Sequence, residues 1–270
     1  MEIRRLDITP RPVSPTARGR LCASDGSERP VTWRVAEETP LAVLLNGAAF
    51  AVMMLTPDDL EDFVVGFALT EGIVASAAEI ESLRIAEAGD GFVANLKLDP
   101  AKVAAVEDRR RTLAGRAGCG LCGAQTIEAV LRPPRRVTGP RPAPQAILAA
   151  LAALPAAQVM KPVNHSTHAA AYCEADGTIA LLREDIGRHN ALDKVAGALA
   201  RQGRDARAGF LLLSSRVSVE MAQKAAAVRA PLVAAVSPPS ALALRVAGQA
   251  GLAVAARAGD GVVIFDGMGD

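Results

Sequence analysis

Apolar and polar residues alternate along the first part of the chain in the manner of β hairpins. Two apolar runs, 41–45 and 48–54, flank Asn46-Gly47, the dipeptide most typical of a two-residue hairpin turn. A second pair of runs, 83–86 and 92–98, surrounds the Gly-Asp-Gly of 89–91. We therefore predict two hairpins, preceded by one further strand at 31–36 and by a polar, loosely held arm over 1–20.

Between the two hairpins the spacing of the apolar residues becomes that of an α-helix. Apolar residues within 60–67 recur at spacings of three and four, which places them on one face of a helix. Thr56 can cap this helix, Pro57 suits its first position and Gly72 can end it. The first part of the chain therefore predicts a small α+β domain.

From residue 145 the pattern changes to alternating helices and strands. The expected helices are 146–154, 190–200, 218–228 and 240–250, and the expected strands are 169–173, 178–182, 209–213, 232–236, 252–256 and 262–265. Strands that are apolar throughout are typical of sheets covered on both faces. The fold class is α/β, a sandwich whose opening strands form a hairpin and whose later strands are parallel.

Domain boundaries follow from these changes of pattern. Residues 1–131 form the N-terminal α+β domain, which ends in a cysteine-containing loop. Residues 132–144 are rich in proline and arginine, which is typical of a linker. Residues 145–270 form the α/β domain.

Composition narrows the class of protein. Of the 270 residues half are hydrophobic, and 30 Lys and Arg balance 29 Asp and Glu, which argues against a dedicated nucleic-acid or membrane-surface protein. Four cysteines in such a chain do not make a disulfide scaffold. The first ten residues have no apolar signal region, and the apolar run 146–154 is too short to span a bilayer. We predict a cytoplasmic protein.

The stretch 116–123, Arg-Ala-Gly-Cys-Gly-Leu-Cys-Gly, carries the clearest chemistry. It places Cys119 and Cys122 two residues apart among glycines, which allow a loop to expose both sulfurs. A thiol reacts as its thiolate, and a CxxC turn close to a cation such as Arg116 lowers a thiol pKa. By itself the motif suits half of a zinc site, a redox dithiol, a persulfide carrier, or two buried and inert thiols.

Polar residues also gather where strands give way to helices. In α/β sheets ligands bind beyond the carboxyl ends of strands, next to helix N-termini. Hydroxyl, guanidinium and ammonium groups beside free helix N–H groups suit a phosphorylated ligand. The candidates are His168, Arg188, His189, Asp193, Lys194, Ser214, Ser215, Arg216 and Ser237, with the turn Ala256, Arg257, Ala258, Gly259, Asp260 and Gly261. We expect them along one edge of one sheet.

Each of these candidates also has a structural alternative. The three serines can serve only as helix caps. Asp193 and Lys194 can form a solvated helix face, and His189 can be a hydrogen-bonded structural histidine.

Three segments resemble the FdhD/NarQ family. They are the stretch 116–123, then His168 with the run Glu-Asp-Ile-Gly-Arg-His-Asn-Ala-Leu-Asp-Lys of 184–194, then Ser214-Ser215-Arg216 with Glu220, Met221 and Lys224. Residues 41–54 and 59–73 are similar to the family's amino-terminal half. The chain departs from the family pattern at His165-Ser166-Thr167, where relatives usually have Thr-Gly-Gly. The turn 256–261 lacks the bulky and basic residues of some relatives apart from Arg257.

The resemblance implies a sulfurtransferase. Cys119 would receive persulfide sulfur from a cysteine desulfurase, with assistance from Cys122. The sulfur would pass to the molybdenum or tungsten bis-guanine-dinucleotide cofactor before this cofactor enters formate dehydrogenase. The resemblance also implies a cytidine-deaminase-like three-layer α/β/α domain, a homodimer, cofactor contacts along 256–261, and no permanently bound metal.

Two other functions remain open at this point. A zinc-dependent, deaminase-like hydrolase needs a His-x-Glu or Cys-x-Glu pair and a proline before the CxxC, and this sequence has neither. A chaperone that holds the molybdenum cofactor without transferring sulfur uses the same phosphate-binding residues. Cysteine variants distinguish such a chaperone from a sulfurtransferase.

Overall fold

The computed structural model describes residues 1–6, 8–112 and 134–265. Cys119 and Cys122, and with them the predicted end of the N-terminal domain at residue 131, lie outside the described residues. No helix in the described ranges is long and apolar enough to cross a membrane.

The strands and helices of the described residues fall into two blocks, one in each half of the chain. In the first block they are β1 (Glu2–Leu6), β2 (Thr16–Cys22), β3 (Glu28–Arg34), β4 (Thr39–Leu45), β5 (Ala48–Leu55), α1 (Leu60–Thr70), β6 (Ser82–Ala88), β7 (Gly91–Lys97) and α2 (Pro100–Thr112). In the second they are α3 (Pro144–Ala157), α4 (Lys161–Asn164), β8 (His168–Glu174), β9 (Ile179–Asp185), α5 (Arg188–Arg201), β10 (Gly209–Leu213), α6 (Val219–Val228), β11 (Leu232–Ala235), α7 (Ala241–Ala250), β12 (Ala253–Ala258) and β13 (Gly261–Phe265).

The first sheet contains both predicted hairpins. Its strand order is β1-β6-β7-β4-β5, and β4 pairs with β5, and β6 with β7, in antiparallel fashion. The expectation of a loose arm over 1–20 is wrong, because β1 pairs in parallel with β6 along its whole length. Ile3 packs against the apolar core of this domain, and this burial holds the strand on the sheet edge.

Helix α1 begins later than its sequence predicts. Its first residue is Leu60, and Asp59 precedes it with a φ of 52° and without capping through its side chain. Thr56 therefore does not cap the helix. Its backbone N–H and its hydroxyl bond to Asp185 and Ile186 of the second domain instead. Thr70 is the last helical residue, and Gly72 follows with a φ of 67°.

The second sheet has the order β13-β12-β11-β10-β8-β9. Strands β8 and β9 form the predicted hairpin, and β10, β11 and β12 run parallel to one another. The last strand differs from the prediction, since β13 turns back antiparallel to β12. Helix α3 covers one face of the sheet, and α5, α6 and α7 cover the other. The domain therefore has three layers, as expected.

Helices α1 and α5 join the two halves through closely packed glycines. A Cβ added to Gly66 would lie 1.7 Å from the carbonyl oxygen of Asp193, and one added to Gly197 would lie 1.8 Å from that of Asp62. Only glycine allows two helix backbones to approach this closely. The two-stranded β2–β3 ribbon, by contrast, is exposed along nearly all of its length.

Candidate functional site

The register of the second sheet brings most of the predicted residues to one edge. Leu213 pairs with Ala235, and Ala235 pairs with Ala256, so the parallel strands β10, β11 and β12 end at one level. At the same level β8 begins with His168, which is paired with Asp185 at the end of β9. The residues that follow these strand ends are Ser214, Ser215, Arg216, Ser237, Arg188 and His189, and Arg257 lies within the last two residues of β12.

Two helices meet at this edge by their first turns. His189, the second residue of α5, places Nε2 2.8 Å from Oε2 of Glu220, the second residue of α6. The N-cap residues of both helices, Gly187 and Ser218, make no side-chain capping bond. Helix α7 differs, since Ser240 Oγ accepts from the N–H of Ala243. Of the three helices that begin at this edge, α5 and α6 are thus without a side-chain cap.

Basic groups lie along this edge. Burial lowers the pKa of His168, and the nearby charges of Lys161, Arg188 and His189 lower it further. His168 is therefore neutral at pH 7. The guanidinium group of Arg188 forms no hydrogen bond or ion pair with any residue in the described ranges, and the same holds for the guanidinium groups of Arg216 and Arg257. Such cations can neutralise an anionic ligand.

The serines at the edge have distinct environments. Ser214 Oγ accepts from the N–H of Ala169 at 2.8 Å, which continues the ladder between β10 and β8. Ser215 is buried and donates to the carbonyl of Arg216 at 3.1 Å. Ser237 is half-buried and does not cap α7, the role that Ser240 takes. The hydroxyl of Ser218 is buried and has no hydrogen-bond partner among the described residues.

Asp193 and Lys194 do not belong to this edge. Asp193 is 1% exposed. It accepts from Thr70 Oγ1 at 2.6 Å and from Lys224 Nζ at 2.9 Å. Burial raises the pKa of Asp193, and Lys224 opposes that rise. The oxygens of Asp193 are thus bonded to the neighbouring helices, and a cofactor contact of Asp193 stays a prediction.

Lys194 likewise lies at the contact between the two domains and bonds to both of them. It is fully buried, and its Nζ lies 2.7 Å from Asp185 Oδ2. The same ammonium donates to the carbonyl oxygens of Thr56 and Glu184 at 3.1 and 3.3 Å. These three bonds use all of its protons. A cofactor contact of Lys194 likewise stays a prediction.

Two buried acids, Glu184 and Asp185, fix the backbone next to this edge. The sequence did not predict this role. Glu184 accepts from the N–H groups of Val159, Met160 and Lys161 at 2.7, 2.7 and 2.9 Å, and so it fixes the loop that carries Lys161. Asp185 accepts from the N–H groups of Thr56 and Gly187 and from the Asn190 amide. A pair of acids at the end of an apolar strand, directly before a helix start, is the signal that points to such roles.

The predicted turn 256–261 lies at the far end of the edge, but only Gly259 and Asp260 form the turn, since 256–258 belong to β12 and Gly261 begins β13. Ala256 is 2% exposed and belongs to the core. Arg257, Ala258, Gly259 and Asp260 are exposed and Gly261 is half-buried. Gly259 has a φ of 58°, a conformation that suits glycine. Of the six predicted contacts here, Arg257 supplies the one cationic side chain.

The two cysteines in the described ranges differ in solvent exposure. Cys22 is exposed on β2. Cys173 is fully buried in β8, and burial, with a smaller effect from Glu174, raises its pKa to about 12. The thiol of Cys173 therefore stays protonated and unreactive near neutral pH. Among the described residues, no three His, Cys, Asp or Glu side chains come together as a metal-binding group.

Comparison with known proteins identifies relatives over most of the chain. The profile of the FdhD/NarQ family matches residues 36–267. A sulfur carrier protein FdhD from Bordetella petrii is 48% identical over 195 residues, which cover 72% of this chain and 70% of the relative. One from Chromobacterium violaceum is 46% identical over 213 residues, which cover 77% of this chain and 79% of the relative.

The fold has a counterpart among solved structures. The crystal structure of a formate dehydrogenase accessory protein from Desulfotalea psychrophila matches with a TM-score of 0.73 at 22% identity, over 94% of this chain and 96% of that one. This likeness shows that the fold is shared. Since the family profile and relatives with close to half of their residues identical span most of the sequence, the chain belongs to the FdhD/NarQ family.

Proposed function

We propose that this protein is a sulfurtransferase that serves formate dehydrogenase in the cytoplasm, as a homodimer. Cys119 takes sulfur from a cysteine desulfurase as a persulfide. The sulfur then passes to the molybdenum or tungsten bis-guanine-dinucleotide cofactor, which the protein binds as its substrate. The observation that carries this proposal is the 48% identity to a protein named as a sulfur carrier, over 195 residues, in a chain that holds a CxxC sequence.

Sulfur loading is a thiol exchange in the proposed scheme. The Cys119 thiolate attacks the outer sulfur of the desulfurase persulfide, the S–S bond of that persulfide breaks, and the desulfurase cysteine leaves as a thiolate. In the release step, the Cys122 thiolate attacks Cys119 Sγ and expels the outer sulfur as hydrosulfide toward the cofactor. The disulfide that forms between Cys119 and Cys122 holds the oxidation equivalents, and an external dithiol reduces it.

Cofactor binding is proposed for the edge of the second sheet. The uncapped first turns of α5 and α6 supply N–H donors for phosphate oxygens. Arg188, Arg216 and Arg257 supply positive charge, and none of them forms an ion pair with a described residue. Helix N-termini together with unpaired guanidinium groups suit the pyrophosphate of a guanine dinucleotide.

Mass spectrometry tests the sulfur-carrying step. After incubation with a cysteine desulfurase and cysteine, a gain of about 32 Da is expected on Cys119, and a thiol reductant should remove it. Cys119→Ala should lose the gain and the formate dehydrogenase activity of cells while remaining folded. Cys22→Ala and Cys173→Ala are the matched controls and should load normally. Full activity of Cys119→Ala would contradict the persulfide mechanism and favour a chaperone that only holds the cofactor.

Cys122→Ala separates loading from release. We expect this variant to load Cys119 and to retain the sulfur, because the attacking thiol is missing. If Cys119 gains no sulfur at all in Cys122→Ala, the two thiols act as one acceptor site and the scheme above is wrong.

Calorimetry with GDP tests the binding edge. Arg216→Ala removes a charge-assisted contact worth roughly 1.5–3 kcal/mol, so the affinity should fall by about one to two decades. Arg207→Ala is the matched control, since Arg207 lies before the start of β10, at the opposite end of the strand. Equal affinity of wild type and Arg216→Ala would place the nucleotide elsewhere.

A further inference from the structure

Helices α5 and α6 are joined by two pairs of acidic and basic side chains, and the acid belongs to α6 in one pair and to α5 in the other. The outer pair is His189 of α5 with Glu220 of α6. One helical turn further on, the inner pair is Asp193 of α5 with Lys224 of α6, at 2.9 Å. The side chains of the outer pair are 28% and 25% exposed, whereas those of the inner pair are 1% and 9% exposed. His189 Nε2 itself is buried and has no hydrogen bond of regular geometry with any described residue, although Glu220 Oε2 lies 2.8 Å away, so the outer pair leaves a donor for a ligand. The inner pair, whose atoms are fully hydrogen-bonded, holds the two helices in register.

The outer pair lies where negative charge is favoured. Both helices direct their N-termini to this place, and the partial positive charge of a helix N-terminus attracts an anion. The bond from His189 lowers the pKa of Glu220, burial opposes this, and the charges of His189, Arg188 and Lys224 lower it further. Glu220 is therefore ionised near neutral pH. Its carboxylate already offsets part of the positive potential of the two helix N-termini that would attract a phosphate.

We infer that Glu220 is a built-in competitor for the anionic ligand at this edge: it holds His189 until a phosphate group arrives between the first turns of α5 and α6. This inference rests on the proposed binding of a guanine dinucleotide at the same edge. On ligand binding a phosphate oxygen takes the place of the Glu220 carboxylate beside His189 Nε2 and accepts a hydrogen bond from it, and the carboxylate turns toward solvent. Glu220 thus acts as a positioning and selectivity residue that lowers the affinity for weakly charged anions.

The inner pair explains why this exchange leaves the helices in place. Lys224 also donates to Thr70 Oγ1 at 3.0 Å and to Glu71 Oε1 at 2.9 Å. The second turn of α6 is therefore fastened both to α5 and to the end of α1. Opening the outer pair moves two side chains that are about one quarter exposed and leaves the helix backbones fixed.

Titration calorimetry with GDP tests the inference, because it shows whether the loss of the Glu220 charge raises or lowers the affinity for GDP. Glu220→Gln keeps the shape of the side chain and removes its charge, and it should tighten GDP binding by roughly threefold to tenfold. A purely structural role predicts the opposite, because a lost ion pair would loosen the site. Glu174→Gln is the matched control: it makes the same change of net charge at the other end of β8, about 20 Å away by the rise of the strand, and should leave the affinity unchanged.

A His189→Gln background tests whether Glu220 acts through His189. There the gain from Glu220→Gln should shrink, because the donor that the carboxylate was holding is gone. Unchanged or weaker GDP binding by Glu220→Gln would overturn the inference, and so would an undiminished gain in the His189→Gln background. Absence of GDP binding by every variant and by the wild type would overturn it together with the proposed binding edge. Sulfur loading of Cys119, measured separately by mass, would be unaffected by that outcome.

Discussion

Gly66 and Gly197 face each other across the crossing of α1 and α5, and neither position has room for a methyl group. The nearest atoms to an added Cβ are backbone carbonyl oxygens of the opposite helix, at 1.7 and 1.8 Å. Backbone atoms cannot rotate away as the end of a side chain can. The contact between the two halves of the molecule is therefore set by main chain against main chain.

Gly197→Ala should lower the free energy of unfolding by about 3 kcal/mol, because the added methyl group overpacks the crossing. Gly248→Ala in α7 is the control, since a Cβ there meets nothing within 4 Å. Alanine is the better helix former, so this variant should gain about 0.5–1 kcal/mol. Chemical denaturation of both variants gives the comparison. Equal stability of the two variants would contradict this expectation, because α1 and α5 could then move apart at no cost in free energy.

Lys194→Met should destabilise the protein by about 3–5 kcal/mol, because it leaves Asp185 buried without its cation. Both side chains are completely buried in the native protein. The exposed pair of Arg207 and Asp205 provides the contrast, and Arg207→Met should cost less than about 1 kcal/mol. Urea titrations measure both values. A loss of similar size in the two variants would argue against a special role for the buried pair.

The stability that Lys224 provides should disappear at alkaline pH. Burial on its own would lower the pKa of Lys224, but Asp193 and Glu71 outweigh it and raise the pKa from 10.5 to about 12. A raised folded-state pKa stabilises the protein fully below the unfolded value and ceases to do so as the pH passes the folded value. The difference in free energy of unfolding between wild type and Lys224→Met should thus stay constant from about pH 9 to pH 10 and shrink above about pH 10.5. A difference that widens in that range would contradict the assignment.

Cys173 should resist alkylation in the folded protein. Its thiol is buried and its pKa is raised to about 12, and the thiolate is the form that reacts with iodoacetamide. In a Cys119→Ala, Cys122→Ala background at about pH 8, mass spectrometry should find Cys22 modified and Cys173 intact. Unfolding in guanidinium chloride should make both react. Modification of Cys173 at the rate of Cys22 in the native state would show that the strand opens.

The elements that the sequence predicts well are those specified by neighbouring residues. The β4–β5 turn at Asn46-Gly47 and the apolar period of α1 are both local signals. Strand β1 escaped prediction because it exists through its pairing with β6, some 80 residues later. The start of α1 was misplaced for a related reason: Thr56, which has the right side chain for a cap, bonds to Asp185 and Ile186 of the other domain.

The same limit applies to the candidate site. The run 184–194 was correctly placed next to the sheet edge, but its residues divide between two surroundings. Arg188 and His189 remain at the edge, whereas Asp193 and Lys194 bond to α6, to the turn before α1 and to Asp185. The partner residue Thr56 lies far away in sequence, so neither spacing nor charge could show which side chains turn toward the other domain.

The buried bond between Lys194 and Thr56 also governs how the protein unfolds. The ammonium is held by a carbonyl oxygen of the first half and by a carboxylate of the second, with no exposed surface. If one half melted while the other stayed folded, the ammonium would lose one of its acceptors and the contact between α1 and α5 would be lost as well. We therefore expect the two sheets to unfold as one cooperative unit despite having separate cores.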